Sequence, residues 1–355
     1  MLTTSFGPIY VHAGRTAETD ALFTLLILLT VVTLWSEQSR PWHGVWLGLL
    51  AAAAFLLRGM AVLMPLSIVL AVKVGRRGLQ RNQWMPTGAA MLLFVAPVTA
   101  WIVARWRVDE WRFLERLLNY DFLARSFTVI EGHPGTPFYY LNILQGLHYD
   151  WLVAGAVAWI LFPIPWSRVR NLLGFWRTND RLSQLVGSWA AITLLIPTLM
   201  RTKLPWYLNP FYPVFALGTG WILVHAFSQV RNSPPARWRT VMLGFVAVIA
   251  LGVAEGRLIS YSFRYRDVGN SAQGLLLAEK DRLAGRRVFR DHWDRADIFV
   301  LGGVVGADRG LADYPEHFLR DSRPGDYLLS SQDADRPDLV LVRSDGRLSL
   351  YRRRQ

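Results

Sequence analysis

Not one cysteine occurs in the 355 residues, so neither a disulfide framework nor a cysteine-ligated metal is available. Lysine is almost as scarce, with three against 36 arginines. Charge of either sign is thin: 18% of the residues are Asp, Glu, Lys or Arg, whereas 52% are hydrophobic. A soluble domain of this length does not need so many apolar residues gathered in long blocks, and the composition reads as a polytopic membrane protein. Met1–Val11 has no basic n-region of the kind that opens a cleavable signal peptide. The pair Gly302-Gly303 has no G-x-G-x-x-G context, so no dinucleotide site is implied.

What the chain does have is a net charge of +13, and its distribution decides the meaning. Residues 1–254 hold 21 Lys+Arg and 10 Asp+Glu, while residues 255–355 hold 18 and 16. The excess sits in short loops between apolar blocks, which is a membrane-topology pattern and argues against a nucleic-acid partner. Eight apolar blocks approach spanning length, near 21–35, 44–57, 60–72, 86–105, 148–165, 184–200, 204–226 and 238–254. The second and third are joined only by Arg58-Gly59, read as a tight turn. Alternate loops carry twelve cations (Arg40; Lys73, Arg76, Arg77, Arg81; Arg168, Arg170, Arg177, Arg181; Arg231, Arg237, Arg239) against Glu37 and Asp180. By the positive-inside rule that face is cytoplasmic, and Asp20, Arg58, the loop 106–147, Lys203 and the C-terminal tail lie on the other.

From Glu255 the composition becomes that of a soluble domain. Ile298–Leu301, Tyr327–Ser330, Leu339–Arg343 and Leu348–Arg352 read as strands, with a hairpin turn at Ser344–Arg347 and a helix over Gln273–Leu283. The expected architecture is therefore an all-α polytopic membrane domain of about eight transmembrane helices (residues 1–254), followed by a small extracytoplasmic α/β domain (residues 255–355).

Three stretches carry chemistry. In Gly14–Phe23, Glu18 and Asp20 stand at the lip of an apolar run; they read either as a functional acid pair or as a solvated helix N-terminus. The loop 106–147 opens with helical spacing of Trp111, Leu114, Leu117 and Leu118, an amphipathic pattern suited to the interface. It ends in Glu131-Gly-His-Pro-Gly-Thr-Pro-Phe-Tyr-Tyr140, where His133 beside Glu131 is read as a solvated turn histidine in preference to an acid/base or metal pair. In Arg201–Pro213, three prolines (205, 210, 213) interrupt a spanning segment, and the uncommon Lys203 suits a phosphate as a point charge. Glu18, Asp20 and His133 form a divalent-metal site only if the fold unites them, so no cofactor is assigned and metal dependence stays open.

Four stretches together resemble the GT-C membrane glycosyltransferases, specifically bacterial relatives of the protein O-mannosyltransferases and of the aminoarabinose transferase of lipid A. They are Arg15–Leu22, Phe55–Pro65, Glu131–Tyr140 and Thr202–Pro213, in the same order and on the same face. The resemblance implies a polyprenyl-phosphate sugar donor and transfer on the outer face of a bacterial inner membrane. The acceptor it implies is a hydroxyl of a lipid, glycan or protein. It places Asp20 near the reacting centre with Glu18 beside it, and Arg58 where relatives often carry Lys. Arg125, Lys203 and Tyr207 fall on positions that bind or orient the donor phosphate, while Glu131, His133, Tyr139 and Tyr140 form a substrate loop. The family has further helices and an acidic outer loop ahead of the stretch matched by Gly14. The expectation is thus an N-terminally incomplete transferase; a catalytically incomplete or non-enzymatic subunit on the same scaffold is the alternative, and a transporter a weaker one.

Overall fold

The computed structural model describes residues 19–36, 42–75, 84–130, 133–174, 180–232, 237–264, 272–291, 300–311, 315–331, 336–344 and 348–354. Glu18, Glu131, His292 and the tip of the expected hairpin, 345–347, lie outside them. The chain divides into two units, Met1–Leu258 and Ile259–Gln355.

The first unit is helical. Helix α1 (Thr19–Ser36) packs on α2 (Trp42–Arg58) and α3 (Leu63–Gly75), and α2 packs most extensively on α4 (Trp84–Asp109). The α2/α4 contact is close because α2 offers small residues, Gly44, Gly48, Ala51 and Ala52, as helices must where lipid supplies no hydrophobic drive. A Cβ at Gly48 would fall onto the Ala90 backbone. Beyond a helical segment at Arg112–Phe127 come α5 (Tyr139–Leu161), α6 (Trp166–Leu173) and α7 (Arg181–Leu199). A 3-10 stretch (Pro205–Phe211) then leads into α8 (Tyr212–Asn232), and α9 is Arg237–Arg264.

Among the described residues, six stretches are long and apolar enough to cross a membrane: 19–36, 42–73, 87–109, 181–199, 205–230 and 237–260. Three of the eight expected blocks differ. The 148–165 block belongs to α5, which starts at Tyr139 and stops at Leu161. Its first half carries Asn142, Gln145, His148 and Asp150, too polar for a spanning window, and it kinks at His148 (φ −133, ψ 23). The second and third blocks form one 32-residue stretch, 42–73. A straight helix of that length would run about 48 Å, well past a ~30 Å hydrocarbon core. Instead it breaks at Arg58 (φ −140, ψ 20) and Gly59 (φ +56), where the turn had been expected, and a single 3-10 turn (Gly59–Val62) follows.

Hydrogen bonds tie the helix ends. Arg181 donates to the Leu34 carbonyl at 2.7 Å, bringing the start of α7 to the end of α1. Asp180 caps α7, accepting from Ser183 N at 3.1 Å and Ser183 Oγ at 2.5 Å, and these bonds hold its carboxyl below the usual aspartate range. Trp189 Nε1 donates to the Pro210 carbonyl at 3.1 Å, anchoring the 3-10 stretch to α7. Arg257 of α9 donates to the carbonyls of Leu147 (3.2 Å) and Gly146 (3.3 Å), groups freed by the kink in α5.

The second unit is a five-stranded sheet in the order β2-β1-β3-β5-β4. Its strands are β1 (Arg287–Arg290), β2 (Asp308–Leu311), β3 (Tyr327–Ser330), β4 (Leu339–Ser344) and β5 (Ser349–Arg353). β1 pairs in parallel with β2 and β3, whereas β5 runs antiparallel to β3 and β4. Alternation sorts the strand residues onto two faces: Val288, Leu329 and Leu350 against Leu275, Leu276 and Leu301, and Phe289, Leu328 and Tyr351 against Phe318. Of the expected strand at Ile298–Leu301, residues 298–299 lie outside the described residues, and the described half is corrected: Val300–Val305 is a wide helical turn. A short apolar run without period does not distinguish strand from buried helix.

Candidate active site

At its N-terminal end α1 presents Asp20, 3% exposed, where a carboxylate complements the positive end of the helix. Arg58 closes the last turn of α2, the complementary place for a cation, and its Nη1 forms an ion pair with Asp20 Oδ1. The guanidinium also lies 5.8 Å from the centre of the Phe23 ring. Two sequence-predicted residues 38 positions apart thus meet because neighbouring helices present opposite dipole ends.

The segment Arg112–Phe127 covers this end of the unit, with Leu117 pressed against Gly59 so closely that a Cβ there would overlap Leu117 Cδ1. Its turns widen between Arg116 and Ala124, and Arg125 opens its last turn, Arg125–Phe127. Arg125 Nη1 donates to the Tyr207 hydroxyl at 3.3 Å. The same guanidinium lies 5.5 Å from the Tyr120 ring centre and 3.7 Å from Asp121. Arg125 and Tyr207, 82 residues apart in sequence, are therefore brought together.

A backbone zipper sets that contact. Arg201 N bonds Ser126 O (2.9 Å), Thr202 N bonds Arg125 O (3.2 Å), and Lys203 N bonds His133 O (3.0 Å). Thr202 Oγ1 donates to Thr128 O at 2.9 Å and accepts from Ile130 N at 3.2 Å, so the fully buried threonine locks both strands of the zipper. Lys203 is 4% exposed. Its ammonium donates to Pro197 O at 3.1 Å and to Thr198 O, carbonyls left open at the end of α7. Burial, with Arg201 nearby, holds it below the usual lysine range. Gly135 rests on the Lys203 stem, where any Cβ would collide.

Tyr139 and Tyr140 meet edge to face at 5.1 Å; the Tyr140 hydroxyl donates to Leu204 O at 3.2 Å, and its ring lies 5.7 Å from Lys203 Nζ. Tyr139, Tyr140, Tyr207 and Phe211 share one apolar cluster, and Phe211 also packs on the cluster containing Phe23 and Phe55. His133 is exposed and joins through its backbone carbonyl. Among the described residues no group of three or more His, Cys, Asp or Glu is placed to hold a metal ion. The sequence reading missed Tyr120, Asp121 and Thr202. The i,i+4 spacing of Asp121 and Arg125 was a readable signal for the first pair; the role of Thr202 depends on contacts 72 and 74 residues away.

Geometrically, this end of the helical unit offers a half-buried guanidinium with a tyrosine hydroxyl, a buried ammonium, and a carboxylate paired with a second guanidinium. The fold is shared with a solved structure: the crystal structure of ArnT from Cupriavidus metallidurans bound to undecaprenyl phosphate matches 94% of this chain and 74% of its own, with a TM-score of 0.62 and 13% identity. The chain has the ArnT fold. The apo structure of the same ArnT matches over the same shares, with a TM-score of 0.60 and 14% identity. No protein-family model and no curated protein sequence matches the chain. The likeness is one of fold, and it agrees with the GT-C resemblance of the four sequence stretches. The ArnT fold and the six apolar helices describe a multi-pass membrane protein.

Proposed function

We propose that the chain is a GT-C glycosyltransferase module that takes a sugar from a polyprenyl-phosphate donor and transfers it to a hydroxyl acceptor on the outer side of the inner membrane. The observation that carries this reading is the Arg125–Tyr207 contact beside buried Lys203, in a fold shared with an ArnT solved with undecaprenyl phosphate. A phosphate leaving at a low-dielectric site needs fixed cations and donors where its charge develops. Arg125 supplies a planar guanidinium, with Asp121 3.7 Å from its Nε, and Tyr207 a hydroxyl. Lys203 has three donors, two of them engaged by the α7 carbonyls, so one N–H is left for an oxyanion.

Asp20 is a buried carboxylate of this end suited to take a proton from an acceptor hydroxyl. Only an ionised carboxylate accepts a proton, and the Arg58 guanidinium is a counter-ion for that form of Asp20. In this reading the C-terminal α/β unit is extracytoplasmic, and His133, Tyr139 and Tyr140 border the donor. The test is transfer of radiolabelled sugar from a panel of undecaprenyl-phosphate sugars by membranes carrying the full chain. Turnover that disappears in Asp20→Asn supports the reading. Equal turnover in Asp20→Asn and wild type refutes the assignment of Asp20. Failure of every donor, with undecaprenyl phosphate still bound, favours the incomplete-subunit alternative.

A further inference from the structure

At the end of the helical unit that carries the basic loops, a cavity of about 380 Å³ opens between α5, α8 and α9. It lies away from the site described above: its His225 is 13 residues beyond Tyr212, about 20 Å along α8. Leu161, Phe162 and Pro165 make an apolar wall; His225, Gln229 and Arg239 supply the polar one. The volume falls within the ~300–1,000 Å³ range of small-ligand pockets.

Arg239 belongs to the first turn of α9 together with Arg237, and that turn holds no acid. Two guanidinium groups at the positive end of a helix dipole oppose the usual preference for acids there. The arrangement is favourable when an anion sits at the helix start, where backbone N–H groups also point. Arg239 lies 5.5 Å from the ring centre of Trp238, an exposed indole of the sort that anchors at headgroup level. The chain leaves Pro165 directly into α6, whose exposed Arg168 and Arg170 add positive charge beside the cavity and whose first turn also lacks an acid. Along α8 and α9 the helices expose Val224, Phe227, Val241 and Phe245, an apolar face that leads away from the polar rim. A ligand with one anionic head and long hydrocarbon tails satisfies all these surfaces at once. Free phosphate leaves the apolar wall and the exposed face without a partner.

We propose that this cavity binds the phosphate headgroup of an anionic phospholipid, with its acyl chains lying along the α8 and α9 faces. Basic pockets between transmembrane helices are suited to such headgroups. The full chain, purified in detergent, is titrated with dioleoylphosphatidylglycerol and separately with dioleoylphosphatidylcholine, and retained lipid is counted by native mass spectrometry. Inorganic phosphate and glycerol 1-phosphate are tested by thermal shift. The expected result is one retained phosphatidylglycerol, with affinity five- to tenfold weaker in Arg239→Gln, the effect of about one cation at an anionic surface. Arg239→Lys retains most of it. Arg237→Gln removes the same charge outside the cavity lining and weakens binding less than Arg239→Gln does. Equal retention of phosphatidylcholine, equal loss in Arg237→Gln, or a stabilising shift by inorganic phosphate that depends on Arg239 would each overturn the proposal.

Discussion

Asp20 and Arg58 illustrate how a charge comes to be held near a membrane boundary. Each complements the dipole of its own helix, and each is the other's counter-ion. Truncating Arg58 removes one charged hydrogen-bond partner of buried Asp20, so Arg58→Ala should destabilise the protein by about 1.5–3 kcal/mol. The double variant Asp20→Asn/Arg58→Gln should recover part of that loss in a thermal melt; additive losses would show that the pair is not coupled. Lys203 gives a pH signature. Its folded-state proton affinity is below that of an ordinary lysine, so the folded protein sheds the proton first and the cost of burying the charge is relieved as pH rises through that lowered value. The same loss of charge removes a phosphate partner. Donor transfer should therefore fall on the alkaline side before the ordinary lysine range is reached. In Lys203→Arg, which stays charged, that limb should move to higher pH whatever the absolute rate; an unmoved limb assigns the titration to another group.

At the scale of elements, the Arg58-Gly59 break was legible because a glycine between two apolar blocks too long for one span has few other uses. The left-handed φ of Gly59 and the pressure of Leu117 on it are two separate demands. Gly59→Ala should cost on the order of 1–3 kcal/mol of stability, and adding Leu117→Ala should return only the steric part. The Asp180 cap of α7 can be tested more simply. Asp180→Ala should lower stability by about 1 kcal/mol. That contribution should be present above the usual aspartate range and lost as pH falls through the lowered folded value, measured by denaturation at two pH values. The start of α5 was misread because Tyr139–Tyr149 mixes polar and aromatic residues without a hydropathy signal. Its helicity is fixed by tertiary contacts, including Arg257 on the carbonyls at the kink. β1 and β2 were missed for a related reason: Arg287-Val-Phe-Arg290 and Asp308–Leu311 are short and charged, and they become strands by pairing with each other and, for β1, with β3.

For the whole molecule, the charge asymmetry of the loops is the sequence feature that assigns connections to one of two faces. The absence of cysteine makes that sorting directly measurable. Single cysteines at His133 and at the C-terminal Gln355 should react with a membrane-impermeant maleimide in intact cells. A cysteine at Arg77 should react only after permeabilisation; the reverse pattern would invert the topology. The candidate site was legible as a list of residues but not as an arrangement. Arg125 and Tyr207 meet through a zipper whose members, Ser126, Thr128, Thr202 and Lys203, give no sign of pairing in sequence. The central claim is that this zipper builds a polyprenyl-phosphate site. Its most direct test is the equilibrium affinity of undecaprenyl phosphate for the purified full chain, compared with Arg125→Gln. The account predicts saturable one-to-one binding that weakens about tenfold or more on loss of a bidentate cation–phosphate contact. Affinity that is undetectable, or identical in the two proteins, would contradict it.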